Sequence, residues 1–331
     1  MLIVRVPPWA AASKKFKIPA NVVEQNMPKA ATTHPVDLYV TGIELAWAAA
    51  MSGRPELFLK NPSSASNAEF AQWRVTSCLR LLEPAGQYLR RPAIFHSEVD
   101  PTEKGYLNFM LGGTLTMAYL AKKLGIHWLA HYSLVKKCPN FLITRNTSGR
   151  IEPDYIGLDN NQRFFVAEAK GRMELDPETK SKLNAKTQTK VVHSVNGQAS
   201  LPGFGIAAIA GGPVIELYAT DPEVEMPLLD PQEWVRAYYD YARAVCGPEG
   251  QVIDASQGPK YWVPISLELP EFVSQWSATE TRRPEWGRPQ RYDSEWNRIV
   301  ERAQEQSVTS GQELLPDLTM AAPRRPHTER N

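Results

Sequence analysis

The chain of 331 residues is poor in cysteine, has no long apolar run, and has almost no excess of charge of either sign. Cys78, Cys138 and Cys246 stand far apart without paired metal-ligand spacing, and three cannot all pair with one another. Neither a disulfide framework nor a zinc motif is indicated, and a reducing cytoplasm is the expected setting. No apolar stretch approaches the length of a membrane-spanning helix. The opening MLIVRVPPWAAASKKFK carries an arginine and two prolines inside its apolar part, so it does not have the pattern of a signal peptide. No membrane partner is expected.

With 37 Lys plus Arg against 36 Asp plus Glu, the net charge is +1. Such a balance speaks neither for nor against a nucleic-acid partner, because a binding face can be locally basic on a neutral protein. From Lys136 to Lys190 there are 11 basic and 7 acidic residues, a local excess of +4.

Hydrophobic periodicity organises the rest. VTGIELAWAAAM is a helix candidate within a Pro-, Ala- and Ser-rich start. SNAEFAQWRVTSCLRLLEPAGQYLRR repeats apolar residues (Phe70, Trp73, Leu81, Leu82) at helical spacing until Pro84 interrupts it. DPTEKGYLNFMLGGTLTMAYLAKKLGI is better marked. A Pro and a Glu open it, and Lys122, Lys123 and Gly125 close it. Gly112 and Gly113 lower helix propensity at its centre, which predicts close packing against a neighbour. Strand-like runs follow at HWLAHYSLV and NFLITRN. A helix started by Pro177 is expected to run through ETKSKLNAKTQTKVVHSVNG, before the strand candidates FGIAAIA and VIELYAT. Further on, PQEWVRAYYDYARAVCG and RYDSEWNRIVERAQEQ have helical patterns, YWVPISLEL that of a strand, and the polar, Pro-rich end from Val308 is expected to be disordered.

One stretch, RIEPDYIGLDNNQRFFVAEAKGR at 150–172, places three charges, Asp154, Glu168 and Lys170, in two otherwise apolar runs. DNNQ supplies turn residues, so strands near 151–158 and 163–170 can form a hairpin. With Asn160 to Gln162 as the loop, paired residues have numbers that sum to 322, which sets Asp154 opposite Glu168. Glu168 and Lys170 then share a face, because side chains alternate along a strand. Buried charge is costly unless paired, and two adjacent carboxylates repel until a proton or a cation lies between them. An all-oxygen donor set with water and substrate completing the shell suits magnesium better than zinc. A lysine two residues past such a glutamate can stabilise charge developing on a phosphate.

At these residues the sequence resembles the PD-(D/E)xK phosphodiesterases, the restriction-endonuclease-like superfamily. Pro153-Asp154 stands as its PD and Glu168-Ala169-Lys170 as its ExK. The resemblance implies an α/β fold with a helix, a mixed central sheet and a helix. It implies that Asp154, Glu168 and the main-chain carbonyl of Ala169 hold Mg2+, with Mn2+ as a substitute, and that Lys170 positions or activates the attacking water. Products with 5′-phosphate ends are implied as well. Members often add an acid from the first helix, for which Glu103 is the candidate, and a polar residue from the second, for which Gln188 or Lys186 would serve.

Other patterns are weaker. The ETK at Glu178 to Lys180 starts a helix, and the PD at Pro316-Asp317 falls in the expected tail. His127 and His131 lie four apart but without the Glu of a metalloprotease helix, and are better explained as structural. Ser133 and Lys136 lack the companion motifs of acyl-transfer enzymes and fit a strand. Gly203 to Ala208 imitate a dinucleotide fingerprint, which would need a strand before Gly203 where a helix end is expected. Scattered tryptophans (Trp128, Trp234, Trp262, Trp276, Trp286, Trp296) are more often core anchors than stacking platforms.

The organisation expected is a mainly helical region over 1–100, a nuclease-like core over 101–221, a helix and strand region over 222–307 and a disordered tail over 308–331. The expected function is Mg2+-dependent phosphodiester hydrolysis of nucleic acid, DNA first, as an endonuclease of restriction, phage-defence or repair type. A homodimer or a partner subunit would be compatible with it. A catalytically inactive nucleic-acid-binding or assembly protein that kept the fold is the alternative, and the intact Asp, Glu and Lys argue against it.

Overall fold

The computed structural model describes residues 2–24, 32–53, 65–136, 143–145, 151–159, 164–185, 188–195, 198–199, 203–220, 238–239, 242, 263–270, 272–273, 290–317 and 319–323. In chain order its strands are β1 Leu2–Val6, β2 Lys15–Glu24, β3 Thr32–Thr41, β4 Glu83–Ala85, β5 Tyr88–Arg90, β6 Ile126–His131, β7 Ile143–Arg145, β8 Tyr155–Asp159, β9 Phe164–Arg172, β10 Val192–Val195, β11 Gln198–Ala199, β12 Gly203–Ile209, β13 Glu216–Thr220, β14 Val263–Glu268, β15 Glu313–Leu314 and β16 Met320–Pro323. The helices are α1 Pro8–Ala11, α2 Gly42–Met51, α3 Ala65–Arg80, α4 Ala93–Ser97, α5 Pro101–Leu124, α6 Tyr132–Val135, α7 Pro177–Ala185 and α8 Gln290–Ser310.

Helix α5 is the spine, and its ends are written locally. The Asp100 side chain accepts from the Thr102 amide at 2.7 Å, Pro101 occupies the first turn, and Gly125 closes the helix at φ 67°. The two central glycines serve close packing. A Cβ on Gly112 would lie 2.6 Å from the Lys170 carbonyl and the Gly171 nitrogen, and one on Gly171 would lie 1.6 Å from the Asn108 carbonyl oxygen. Helix and strand backbones therefore touch where any side chain would hold them apart. A Cβ on Gly113 would meet the Tyr155 hydroxyl at 2.4 Å.

That strand belongs to a mixed central sheet in which β6, β8 and β9 run antiparallel in turn, β9 pairs parallel with β12, and β12 pairs antiparallel with β13. The sheet does not stop at residue 101. Strand β2 pairs parallel with β13 and antiparallel with all of β3, and β5 joins at Lys17 with β4 beside it. Among the described residues before 101, helices α1 to α4 stand beside strands β1 to β5, and β2 to β5 extend the same sheet. Alternating apolar residues Phe16, Ile18, Ala20 and Val22 in β2 and Leu38 and Val40 in β3 provide the buried face. Helices α2, α3 and α5 cover that side, and Trp47, Leu115 and Met117 are among the residues of the main core. Trp128 is buried in it too, its indole donating to the Tyr239 hydroxyl at 3.4 Å.

Two departures from the expected pattern follow from β-branched and apolar residues in polar surroundings. The helix after Pro177 ends at Ala185, and after 186–187, which lie outside the described residues, comes a 3-10 turn, Thr189–Val191. Val192–Val195 then form β10 in a small sheet ordered β11-β10-β7. Val191 and Val192 are buried there, which a polar helix would not allow. Likewise the described residues at 308–317 and 319–323 carry regular structure, the end of α8 and strands β15 and β16. β16 pairs with β14, β14 pairs with β1, and β15 pairs with β16, making a four-stranded sheet from the two ends of the described chain. Leu315, Met320 and Ala321 are buried, and Asp317 has no exposure. It accepts from the Tyr238 hydroxyl and the Thr319 amide, and its carbonyl accepts from Tyr239 at 2.7 Å. Residues 324–331 and most of PQEWVRAYYDYARAVCG lie outside the described residues.

Candidate active site

Strands β8 and β9 pair Tyr155 with Ala167, Ile156 with Val166, Gly157 with Phe165 and Leu158 with Phe164. Each pair sums to 322, the register that the hairpin reading requires, although its loop at 160–163 lies outside the described residues. β8 begins at Tyr155 rather than near 151, because Pro153 has no N–H to give to a ladder. Asp154, just before the strand, steps off that register, so that it and Tyr155 both lie against Ala167. Its amide donates to the Ala167 carbonyl at 3.1 Å, its carbonyl accepts from Tyr132 at 2.8 Å, and its Oδ2 accepts from the Ala169 amide at 2.8 Å.

The two faces of β9 are told apart by its neighbours. Gly171 faces α5, so Ala169 and Ala167 share that side. Glu168 and Lys170 face the other way. Gly205, the partner of Glu168 in β12, has the Leu183 carbonyl of α7 at 3.0 Å from its Cβ position. Lys170 is aligned with Ala207, which packs with Leu183 and Tyr218. Asp154, Glu168 and Lys170 thus gather on the α7 side of the sheet.

The electrostatics are those of a crowded, poorly solvated pair of acids. Glu168 is 4% exposed. Burial first, and the Asp154 carboxylate second, push its pKa up to about 8, while Lys170 acts against both. Asp154 is shifted upward as well by burial, opposed by the Ala169 amide and Lys170. The Lys170 ammonium closes on Glu168 Oε1 as an ion pair. The Asp154 carboxyl is the other neighbour of Glu168, close enough to share a hydrogen bond with it. Two carboxylates crowded in this way are what a hard cation would satisfy. The donor set fits magnesium: two carboxylates and the Ala169 carbonyl, all oxygen. Asp154 and Glu168 would be the carboxylates that the hairpin contributes.

Of the accessory candidates, the cluster takes in Gln188. Its Oε1 accepts from Lys170 Nζ at 2.9 Å and its Nε2 donates to the Glu152 carbonyl at 2.7 Å. Lys186 lies outside the described residues. Glu103 is exposed in the first turn of α5, on the opposite side of β9, and no hydrogen bond or ion pair joins it to Asp154 or Glu168 among the described residues.

Glu152 was not singled out by its sequence context. Its carboxylate pairs with Lys136 and Arg145, and Arg145 also donates to the Ile151 carbonyl at 2.6 Å. The only sequence signal was its place two residues before Asp154, after a stretch with four basic residues and no acid.

The weaker patterns resolve as structure. His131 ends β6, and its Nδ1 accepts from the Ser133 amide at 3.2 Å and meets the Ser133 hydroxyl at 2.9 Å. Tyr132–Val135 is a short helix rather than strand because His131 caps it. Gly203 to Ala208 lie inside β12, which turns back into β13 without a helix, and the backbone for a dinucleotide loop is not formed.

Compared with family models, curated proteins and solved structures, the chain has no match.

Proposed function

We infer that the protein is a magnesium-dependent nuclease acting on DNA, with Asp154, Glu168 and Lys170 at its centre. One observation carries the reading: the half-buried Asp154 carboxylate and the buried Glu168 carboxylate crowd together across a hairpin beside a lysine, and Asp154 adds to the cost of ionising Glu168. A structural ion pair in a sheet needs one acid, and the second only raises the cost of burial. Support also comes from topology. Helix α5, the antiparallel run β6-β8-β9, helix α7 and then β12 parallel to β9 follow the order expected of a restriction-endonuclease-like core.

Asp154, Glu168 and the Ala169 carbonyl would hold the ion, which when bound supplies Lewis-acid polarisation of a phosphoryl oxygen. The chain's own groups set the rest. The Ala169 amide fixes the Asp154 carboxylate through Oδ2. Lys170 places a positive charge next to the carboxylates, where charge grows on a phosphate in the transition state. Gln188 fixes that ammonium, and the cover of α7 and the 3-10 turn limits water around it.

The test is cleavage of plasmid and linear DNA with and without Mg2+ by the protein and by Asp154→Ala and Lys170→Ala. Each variant is expected to keep its fold by circular dichroism and to lose cleavage. Equal cleavage by all three proteins, each free of contaminating nuclease, overturns the assignment.

A further inference from the structure

The small sheet β11-β10-β7 is built from two separated segments of unusual charge. Residues 136–150 hold Lys136, Lys137, Arg145 and Arg150 and no acid; residues 179–202 hold Lys180, Lys182, Lys186 and Lys190 and no acid. At the chain's average acid content, about four acids would fall in segments of this combined length. The chain as a whole is balanced, so this is a segregation of charge and not a general excess.

The fold brings the two segments together. β7 from the first pairs with β10 from the second. One side of the sheet is fastened to the body of the protein through buried Val192 and Ser194 and through Ile143 against the core, while Thr144 and Lys190 are exposed. The sheet is also tied to the candidate active site at two points. Arg145, the last residue of β7, bonds the Ile151 carbonyl and pairs with Glu152. Gln188, just before the 3-10 turn that leads into β10, bridges Glu152 and Lys170. The one acid met at this junction, Glu152, is already paired with Lys136 and Arg145.

We propose that DNA lies along the β7-β10-β11 sheet, where Arg145 at the end of β7, Lys190 in the turn before β10 and Lys136 ahead of β7 hold the sugar–phosphate backbone so that one phosphate reaches Lys170. The inference rests on the nuclease reading for its purpose, but its evidence is separate: charge segregation and the two ties to the site. The occupant is a polyanionic strand because, among the described residues, Lys136 and Arg145 from one segment and Lys190 from the other outnumber Glu152, the acid they meet, and backbone phosphates are the groups that such a surface meets.

The experiment measures binding without catalysis. A fluorescein-labelled DNA duplex is titrated in EDTA, by anisotropy, at several salt concentrations, with the full chain and with the double variant Lys136→Ser/Lys190→Ser. Lys136 is about half exposed and Lys190 exposed, and Arg145 remains to pair with Glu152. The variant is expected to bind about tenfold or more weakly, with the slope of log affinity against log salt reduced by about two. Lys104→Ser/Lys123→Ser, which removes the same charge from α5, is expected to bind as the parent does. Equal affinity and slope in the first variant, or an equal loss in the second, overturns the proposal. Failure of the nuclease reading has a different signature: weakened binding in the first variant alone, by a protein that does not cut DNA, leaves the surface standing and removes the cleavage.

Discussion

Gln188 and Lys170 are joined side chain to side chain: the amide oxygen accepts from the ammonium at 2.9 Å while the amide nitrogen is anchored on the Glu152 carbonyl at 2.7 Å. A flexible lysine stem is thereby held in one place next to Glu168, and much of the entropy of ordering it is lost on folding rather than in the reaction. Gln188→Ala is expected to lower kcat for DNA cleavage about tenfold with KM little changed, the pattern of a positioning group that acts through another residue. A matched rise in KM with kcat unmoved would assign Gln188 to substrate binding instead.

The Glu168 shift makes stability depend on pH with a definite sign. Its pKa rises on folding from 4.5 to about 8, so over that window the folded chain holds a proton that the unfolded chain has released. The upward shift at Asp154 acts in the same direction. Metal-free stability from these groups is present below the unfolded value and is lost as pH rises towards 8. Thermal melting in EDTA between pH 5 and 8.5 should show the transition falling with pH, and Glu168→Gln should flatten that fall.

Magnesium competes for the same oxygens. Below about pH 8 the ion must displace the proton from Glu168, so affinity should rise with pH and binding should release protons. Calorimetry in buffers of different ionisation enthalpy measures that release directly. No buffer dependence at pH 6.5 would place the ion elsewhere.

The glycines of α5 give an internal comparison. Gly112→Ala puts a methyl group 2.6 Å from the Lys170 carbonyl and the Gly171 nitrogen, and backbone cannot swing aside. A loss of about 1–3 kcal/mol is expected in denaturant unfolding, with reduced cleavage because Lys170 moves with its strand. Gly105→Ala meets nothing within 4 Å in the same helix and should stabilise by about 0.5–1 kcal/mol.

Asp317 tests the corrected C-terminal segment. Asp317→Ala leaves the Tyr238 hydroxyl and the Thr319 amide without their acceptor inside the protein and should cost about 2 kcal/mol or more. Asp317→Asn keeps an acceptor and should cost less. Chemical denaturation of the two variants beside the parent separates these outcomes.

Local chemistry in the sequence determined a good deal. Asp100, Pro101, Lys122, Lys123 and Gly125 marked both ends of α5, and the alternating apolar residues on either side of DNNQ gave the register of β8 on β9 from Tyr155 to Leu158. These features depend on neighbours within a few residues or across one short loop. Only the tertiary structure decided what depends on distant partners. β2 joins β13 and β5 across the chain, the end of the described chain becomes strand because β14 offers it an edge, and VVHSV pairs with β7 instead of continuing a helix. The same holds for Glu152 and Gln188, whose roles arise where segments far apart in sequence meet. Hydrogen-bonded edges and buried charge are satisfied by whatever the fold brings near, and that choice is not written in the local pattern.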